Sequence, residues 1–530
     1  MSVLSIIIQN KCRNTNRMQF FLTKSQKKCR IFVRIKKIYY LSFTQKNVVI
    51  YIKCKNNMFS KEVYISRRNR LREKIGSGLI LLPGNRELPF NYSSNTFPFR
   101  QDSTFLYFVG IDLPDLFVVV DCNTGDEILF GRELEINDII WSGEVPSLEA
   151  LAESAGIASV RSIDTLGAYL KQYSGDIHYV APYQDGITIT ISSLLGKSVQ
   201  EIIEGQSLQL ISAIVSMRTV KEQFEIDEIE KAVNITAGMH RQAMRYVGDL
   251  LASGKAATER DVVGKISKIA ISQGYYHSFP PIVTMHGEVF HSHGYTEAVK
   301  KGGLLLVDAG AESLEHYAGD MTRTIPVSGL FSKRQKDIYD IVVAANMGVI
   351  QSAMPGLSWR DMHNRAARII TSGLKNLGLM KGDTDNIVAS GAYALFFPHG
   401  LGHLVGLDVH DMENYGENNV GYSNSVKRSN IFGPSYLRYA LDLKKNMVLT
   451  DEPGIYFIPQ LINLWRKEKK FEGYINYERT AKYIGFGGIR IEDDILITEN
   501  GCRVLGSPVP KTTEDVESLI QEGMKTSNNR

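Results

Sequence analysis

The chain has 530 residues, 43% of them hydrophobic and 22% charged, which is the balance of a globular protein with room for more than one domain. No stretch offers the ~18 consecutive apolar residues of a membrane span, and five cysteines without a C-x-x-C pair exclude a disulfide scaffold and a cysteine zinc site. The net charge of +4 is uneven: residues 1–57 hold 13 of the 61 Lys+Arg and none of the 57 Asp+Glu, leaving an acidic remainder that argues against a nucleic-acid surface.

In chain order, residues 1–57 read as a basic leader: translated upstream of a start at Met58, a targeting segment, or a real basic arm. Residues 58–216 alternate apolar runs with helical patterns. GLILLP (78–83) and DLFVVVD (115–121) are expected as buried strands, and Glu149–Ala155 and Ser162–Tyr173 as helices, together an α/β domain. A domain boundary is expected near 216–221. A long amphipathic helix then starts at Glu222, with Ile226, Ile229, Val233, Met244 and Val247 on one stripe. In the second unit, 217–510, Pro281–Thr284 and Gly303–Asp308 read as strands and Lys333–Met354 and Ser358–Leu377 as helices. Residues 411–446 are polar and irregular, as in a long insertion, and 511–530 form a tail. The whole is α+β rather than doubly wound.

Chemistry concentrates in the second unit. His399, His403 and His410 fall within 12 residues, in PHGLGHLVGLDVH. The glycines there disfavour a helix, so this segment is expected as loop then strand. Gly also lets a metal or substrate approach the backbone closely. Carboxylates stand at the ends of apolar runs: Asp308 in LLLVD, Asp320 in HYAGDMTRT across an expected hairpin, Glu452 in TDEPGIYF and Glu492 in GIRIEDD. Such groups are costly beside apolar strands unless paired or metal-bound. Their four negative charges match two divalent cations. Four carboxylates with one histidine suit a hard or borderline ion such as Mn²⁺ better than a tetrahedral zinc. Two such ions could lower the pKa of a bridging water and polarise a carbonyl.

At these residues the chain resembles the pita-bread metallopeptidases, in particular aminopeptidase P. The resemblance runs through FPFRQDSTFLYFVG (97–110), VFHSHGYT, LLLVDAG, YAGDMTRTIPVSGLF, FFPHGLGHLVGLDVHD, LTDEPGIYF and GGIRIEDDILIT, in that order. It implies an N-terminal α/β domain followed by a pita-bread catalytic domain. It also implies a metal set of Asp308, Asp320, His403, Glu452 and Glu492, with Asp320 and Glu492 bridging two divalent ions and Glu452 shuttling a proton to the leaving proline nitrogen. His399 and His410 correspond to histidines that hold the scissile carbonyl and its oxyanion. His291 and Arg490 correspond to further substrate-binding positions, although His293 competes with His291 for that part. Two departures stand out: Asp308 and Asp320 lie 12 residues apart, one more than in many relatives, and Asp451 precedes Glu452 where a small or apolar residue is usual. The implied activity is removal of the N-terminal residue from peptides with proline second. Alternatives are an Xaa-Pro dipeptidase and a metal-free member of the fold. The implied protein is cytoplasmic, takes peptide substrates and no nucleic acid or membrane, and forms a homo-oligomer (dimer or tetramer).

Overall fold

The computed structural model describes residues 59–143 and 146–528, and four short strands within residues 20–51 that pair as two hairpins. Apart from those strands, the leader expected over 1–57 lies outside the described residues. The N-terminal unit opens with helix α1 (Lys61–Ile75) and builds one sheet. Its strands are β1 (Leu79–Pro83), β2 (Phe117–Asp121), β3 (Glu127–Gly131), β4 (Ser159–Ser162) and β5 (Ile177–His178), in the order β4-β3-β2-β1-β5. The three central strands are antiparallel and the outer two parallel to their neighbours. Side chains alternate across a strand, and here that sorts the apolar runs cleanly. Ile80, Leu82, Val118, Val120 and Leu129 join the core shared with the second unit. Leu79, Leu81, Phe117, Val119, Ile128 and Phe130 pack on the other face against Leu166, Leu170, Ile187, Ile191 and Ile202. Both faces are covered, which is why these runs read as continuously apolar.

Helix α2 (Leu208–Arg218) is followed after four residues by α3 (Gln223–Ser253), so the segment 216–221 holds a break between two helices. Glu222 and Glu225 form the capping box that starts α3. Its stripe of Ile226, Ile229, Val233, Met244 and Val247 is buried.

The second unit wraps short antiparallel strands in helices. One sheet is β6 (Ile282–Thr284), β7 (Leu304–Asp308) and β8 (Thr322–Pro326), with Asp308 opposite Thr322. The expected hairpin therefore exists, with its connection carrying Asp320. The helices α4 (Lys333–Ile350) and α5 (Trp359–Asn376) follow. Strands β9 (Val448–Asp451), β10 (Gly454–Tyr456), β11 (Gly488–Arg490), β12 (Asp493–Ile497) and β13 (Cys502–Val504) form a ladder of order β9-β12-β13 and a pair β10-β11. Residues 511–530, set apart in the sequence as a tail, contain helix α6 (Thr513–Asn528). It seats on α3 at glycines: a Cβ on Gly248 would lie 2.1 Å from Ile520 O, and one on Gly523 would lie 2.2 Å from Arg245 O.

Residues 411–446 hold only short helical turns. The loop-then-strand expectation for 398–410 is corrected. The backbone runs beside β9 but makes a single bridge, Leu404 to Leu449. Val405 N, His403 O and Leu401 O bond to Val448 O, Thr450 N and Glu452 N, but Leu404 O accepts from Asp411 N at 2.9 Å and Gly406 O from Ala318 N at 2.8 Å, so no continuous strand forms.

Candidate metal and peptide site

The two halves of the ladder bring the acidic ends together. Asp451 pairs with Asp493 across β9 and β12, and Gly454 with Arg490 across β10 and β11. Glu452 and Glu492 sit at the two breaks between these pairings. Strand alternation turns Asp451 and Asp493 to the opposite side. There Arg323 Nη2 donates to Asp493 Oδ1 at 2.7 Å and Lys511 pairs with Asp493 Oδ2. Asp451 therefore faces away from the site. Burial holds it protonated well above the usual carboxyl range, against the pull of Lys511.

Asp320, His403 and Glu492 are buried, and one ligand atom from each lies within 4.8 Å of the others. His403 Nε2 is 3.5 Å from Asp320 Oδ2 and 3.9 Å from Glu452 Oε1. Its Nδ1 is 3.1 Å from Leu404 O, which fixes the tautomer that leaves Nε2 for a ligand bond. Glu492 accepts from Thr322 Oγ1 at 2.7 Å, and Asp320 N donates to Asp494 Oδ2 at 2.8 Å. Asp308 stands at the end of β7, with Oδ2 2.5 Å from Arg490 Nη2. All five expected ligands line one cavity of about 960 Å³.

These side chains fit divalent cations. Asp320 Oδ1 is buried with no hydrogen-bond partner. Burial, with the Asp320, Glu452 and Asp308 carboxylates, raises Glu492 well above the usual range. Burial outweighs Arg490 and raises Asp308 to about 7, and it raises Glu452 against His403 and Arg490. For His403 burial opposes the charged ring, yet Asp320 and Glu452 push it up to about 9. Repelling carboxylates around one imidazole are the environment that bound cations relieve.

The other expected residues surround this centre. His399 Nδ1 donates to Gly400 O at 2.7 Å and Nε2 accepts from Tyr456 Oη at 2.8 Å, while Tyr456 Oη accepts from Arg490 Nη1 at 3.0 Å. Burial, then Arg490, pushes His399 down to about 3 and keeps it neutral. The His410 ring lies over His403, centroids 3.9 Å apart, with Nδ1 3.0 Å from Glu413 Oε2. Arg438 Nη1 donates to the same Glu413 oxygen at 2.6 Å. His291 and His293 both line the cavity, but His293 is also engaged, 3.3 Å from Pro281 O. Sequence reasoning missed Thr322, Tyr456, Glu413 and Arg438. Glu413 and Arg438 come from the segment read as an insertion, which also supplies Phe432 and Tyr436 to the cavity wall. The spacing of Glu413 three residues after His410 was the available signal.

Gly402 shows why the histidine loop is glycine-rich. A Cβ there would lie 2.0 Å from Thr450 O, while Thr450 N donates to His403 O at 2.9 Å. Gly402→Ala is expected to cost about 1–3 kcal/mol of stability by overpacking and to weaken metal affinity by displacing His403. Denaturant midpoints and metal titration of the two proteins check this.

The family model for metallopeptidase family M24 matches residues 227–499, and that for the aminopeptidase P N-terminal domain matches residues 64–179. The chain belongs to metallopeptidase family M24. Its M24 domain carries all five expected ligand side chains in one cavity, and the second unit has the family's pita-bread fold. A probable Xaa-Pro aminopeptidase of Phaeosphaeria nodorum is 31% identical over 453 residues, covering 84% of this chain and 92% of that protein. The human Xaa-Pro dipeptidase is 29% identical over 477 residues, covering 86% and 93%. Aminopeptidase P of Escherichia coli superposes with a TM-score of 0.71 at 28% identity, covering 89% of this chain and all of that one. Membership of this family implies divalent metal ions and peptide substrates. No helix among the described residues is long and apolar enough to cross a membrane.

Proposed function

We propose that the chain removes the N-terminal residue from peptides whose second residue is proline. The observation that carries this is the convergence of Asp308, Asp320, His403, Glu452 and Glu492 in one cavity that extends past them to an apolar wall. Phe432, Tyr436, Leu461 and Leu464 form that wall, and it leaves room for residues beyond the proline. The five side chains would hold two cations. The oxygen-rich set favours Mn²⁺. When bound, such ions activate water and polarise a carbonyl.

The chain's own residues do the rest. Glu452 takes a proton from the attacking water and passes it to the departing proline nitrogen. Its raised proton affinity suits that exchange, and its Oε2 lies 3.9 Å from His399 Nδ1. His410 is held at Nδ1 by Glu413, leaving Nε2 for the substrate oxygen. Neutral His399 and His291 wall the proline side, and Arg490 fixes Asp308 and Tyr456. Free Cys122 and Cys502 suit a reducing cytoplasm. Exposed Ile136, Ile140 and Trp141 on one short helix support a homo-oligomer.

The test is a panel of Ala-Pro, Ala-Pro-Ala, Ala-Ala-Ala and a Met-Ala peptide with added Mn²⁺, with products read by mass spectrometry. Ala-Pro-Ala is expected to lose its first residue, and Ala-Ala-Ala to react far more slowly. Equal rates on those two tripeptides would remove proline selectivity. Cleavage confined to Ala-Pro would make the protein a dipeptidase.

A further inference from the structure

The FPFRQDSTFLYFVG segment of the N-terminal unit contributes nothing to the metal centre, yet its polar side chains reach across to the histidine loop. Arg100 Nη2 donates to Leu407 O at 2.6 Å, and Arg100 Nη1 donates to Ser103 Oγ at 2.7 Å. Ser103 Oγ in turn donates to Asp408 Oδ1 at 2.6 Å. Thr104 bonds the hydroxyl of Tyr415. A second set comes from the junction between the units. Arg218 Nη2 lies 3.0 Å from Asp408 Oδ2 and 2.7 Å from Asp411 Oδ1, and Lys221 Nζ lies 2.6 Å from Asp411 Oδ2. Arg218, Lys221 and Asp411 are all buried.

We infer that Arg100, Ser103, Arg218 and Lys221 are positioning residues that hold His410 over His403 by gripping the loop 404–411 through Leu407, Asp408 and Asp411. The loop closes on itself through Asp411 N to Leu404 O at 2.9 Å. A Cβ on Gly406 would lie 2.4 Å from Asp411 Oδ2, so the carboxylate is packed against the turn it braces. His410 is the neighbour of Asp411 in the chain. A shift of the clamped carboxylate therefore moves the ring directly. His403 is anchored separately, by its backbone bonds to Thr450. Loosening the clamp should thus displace His410 and spare the ligand. A geometric error of about 1 Å at a catalytic group can cost about 10²-fold. Buried charge pairs that face a loop and not solvent can hold it to that tolerance. The N-terminal unit is on this account part of the catalytic apparatus, although no atom of it lines the cavity. The inference rests on the reading of His410 as a substrate-facing donor.

Ser103→Ala and Arg100→Gln remove the part of the grip on Leu407 and Asp408 without burying a lone charge, and Arg100→Lys restores a donor. The full-length proteins are compared, loaded with Mn²⁺, in kcat and KM for Ala-Pro-Ala, metal content and melting temperature, and, loaded with diamagnetic Zn²⁺, in the Cε1–Hε1 resonance of His410. That resonance is assigned by its loss in His410→Ala. The expected result is a fall in kcat of roughly ten- to a hundred-fold, with KM, metal content and melting temperature little changed. The His410 resonance is expected to move, and Arg100→Lys to recover part of the rate. An unmoved resonance with unchanged kcat in both Ser103→Ala and Arg100→Gln overturns the inference, as does a loss of rate that merely follows a loss of fold or metal. If the unsubstituted protein leaves Ala-Pro-Ala intact while the variants still shift the His410 resonance, the clamp stands and the substrate reading fails.

Discussion

Glu492→Ala is expected to abolish both metal binding and turnover. Glu492 is buried, accepts from Thr322 Oγ1 at 2.7 Å, and lies in the three-residue cluster with Asp320 and His403. Read as the bridging carboxylate, it would serve both ions, so its loss would remove more than one ligand bond. Glu492→Gln separates charge from shape, because the amide oxygen can still accept from Thr322. The same variant has a second expected signature. Glu492 is raised well above the usual carboxyl range by burial and by Asp320, Glu452 and Asp308, so its charge disfavours the metal-free fold. A group with a raised folded-state proton affinity costs stability once the pH exceeds the ordinary carboxyl range. Metal-free Glu492→Gln is therefore expected to melt no lower than the metal-free parent at neutral pH. Added Mn²⁺ should stabilise the parent, by about 2.7 kcal/mol at a hundred times Kd, and leave the variant unmoved. Near-normal metal content and activity in either variant would sink the assignment of Glu492 as a ligand.

The parts of this site that were legible in the sequence are those where one strand carries both an apolar run and its acidic end. LLLVD and the segment around IRIEDD announce a buried strand and a carboxylate together, because a charge beside such a run needs a partner. The fold was legible for related reasons: Phe117–Asp121 is a short, continuous, β-branched apolar run, and the stripe of α3 repeats at the period of a helix. The residues of 411–446 carry no period. Glu413 and Arg438 are placed by the turn after His410 and by the path back to β9, which depend on contacts far apart in the chain. The clamp was hidden in the same way. Arg100 and Asp408 are 308 residues apart, and nothing local in FPFRQDS states which loop its polar groups will meet. Asp451 shows the converse. Its position beside Glu452 stood out as a departure in the sequence, but strand alternation turns it toward Asp493 and Lys511.

His403→Ala and His410→Ala should fail in different ways, although their rings lie 3.9 Å apart. His403 Nε2 faces Asp320 and Glu452, and its Nδ1 is fixed by Leu404 O. Removing the ring takes the one nitrogen donor from an otherwise carboxylate set, so metal is lost and kcat falls with it. His410 makes no contact with a ligand carboxylate within hydrogen-bond reach. Its Nδ1 is held by Glu413, whose carboxylate is fixed in turn by Arg438. Removing it should leave the metal content intact and cost roughly 10²–10³ in kcat, the usual loss for one oxyanion donor. Glu413→Gln should lie between, since the amide oxygen can still accept from Nδ1 but lacks the charge that raises the ring's proton affinity against burial. Metal analysis and single-turnover kinetics on the three variants decide the matter. If His410→Ala loses metal while His403→Ala keeps it, the two histidines have exchanged roles, and Asp320 and Glu452 must take their nitrogen partner from the other side of the stack.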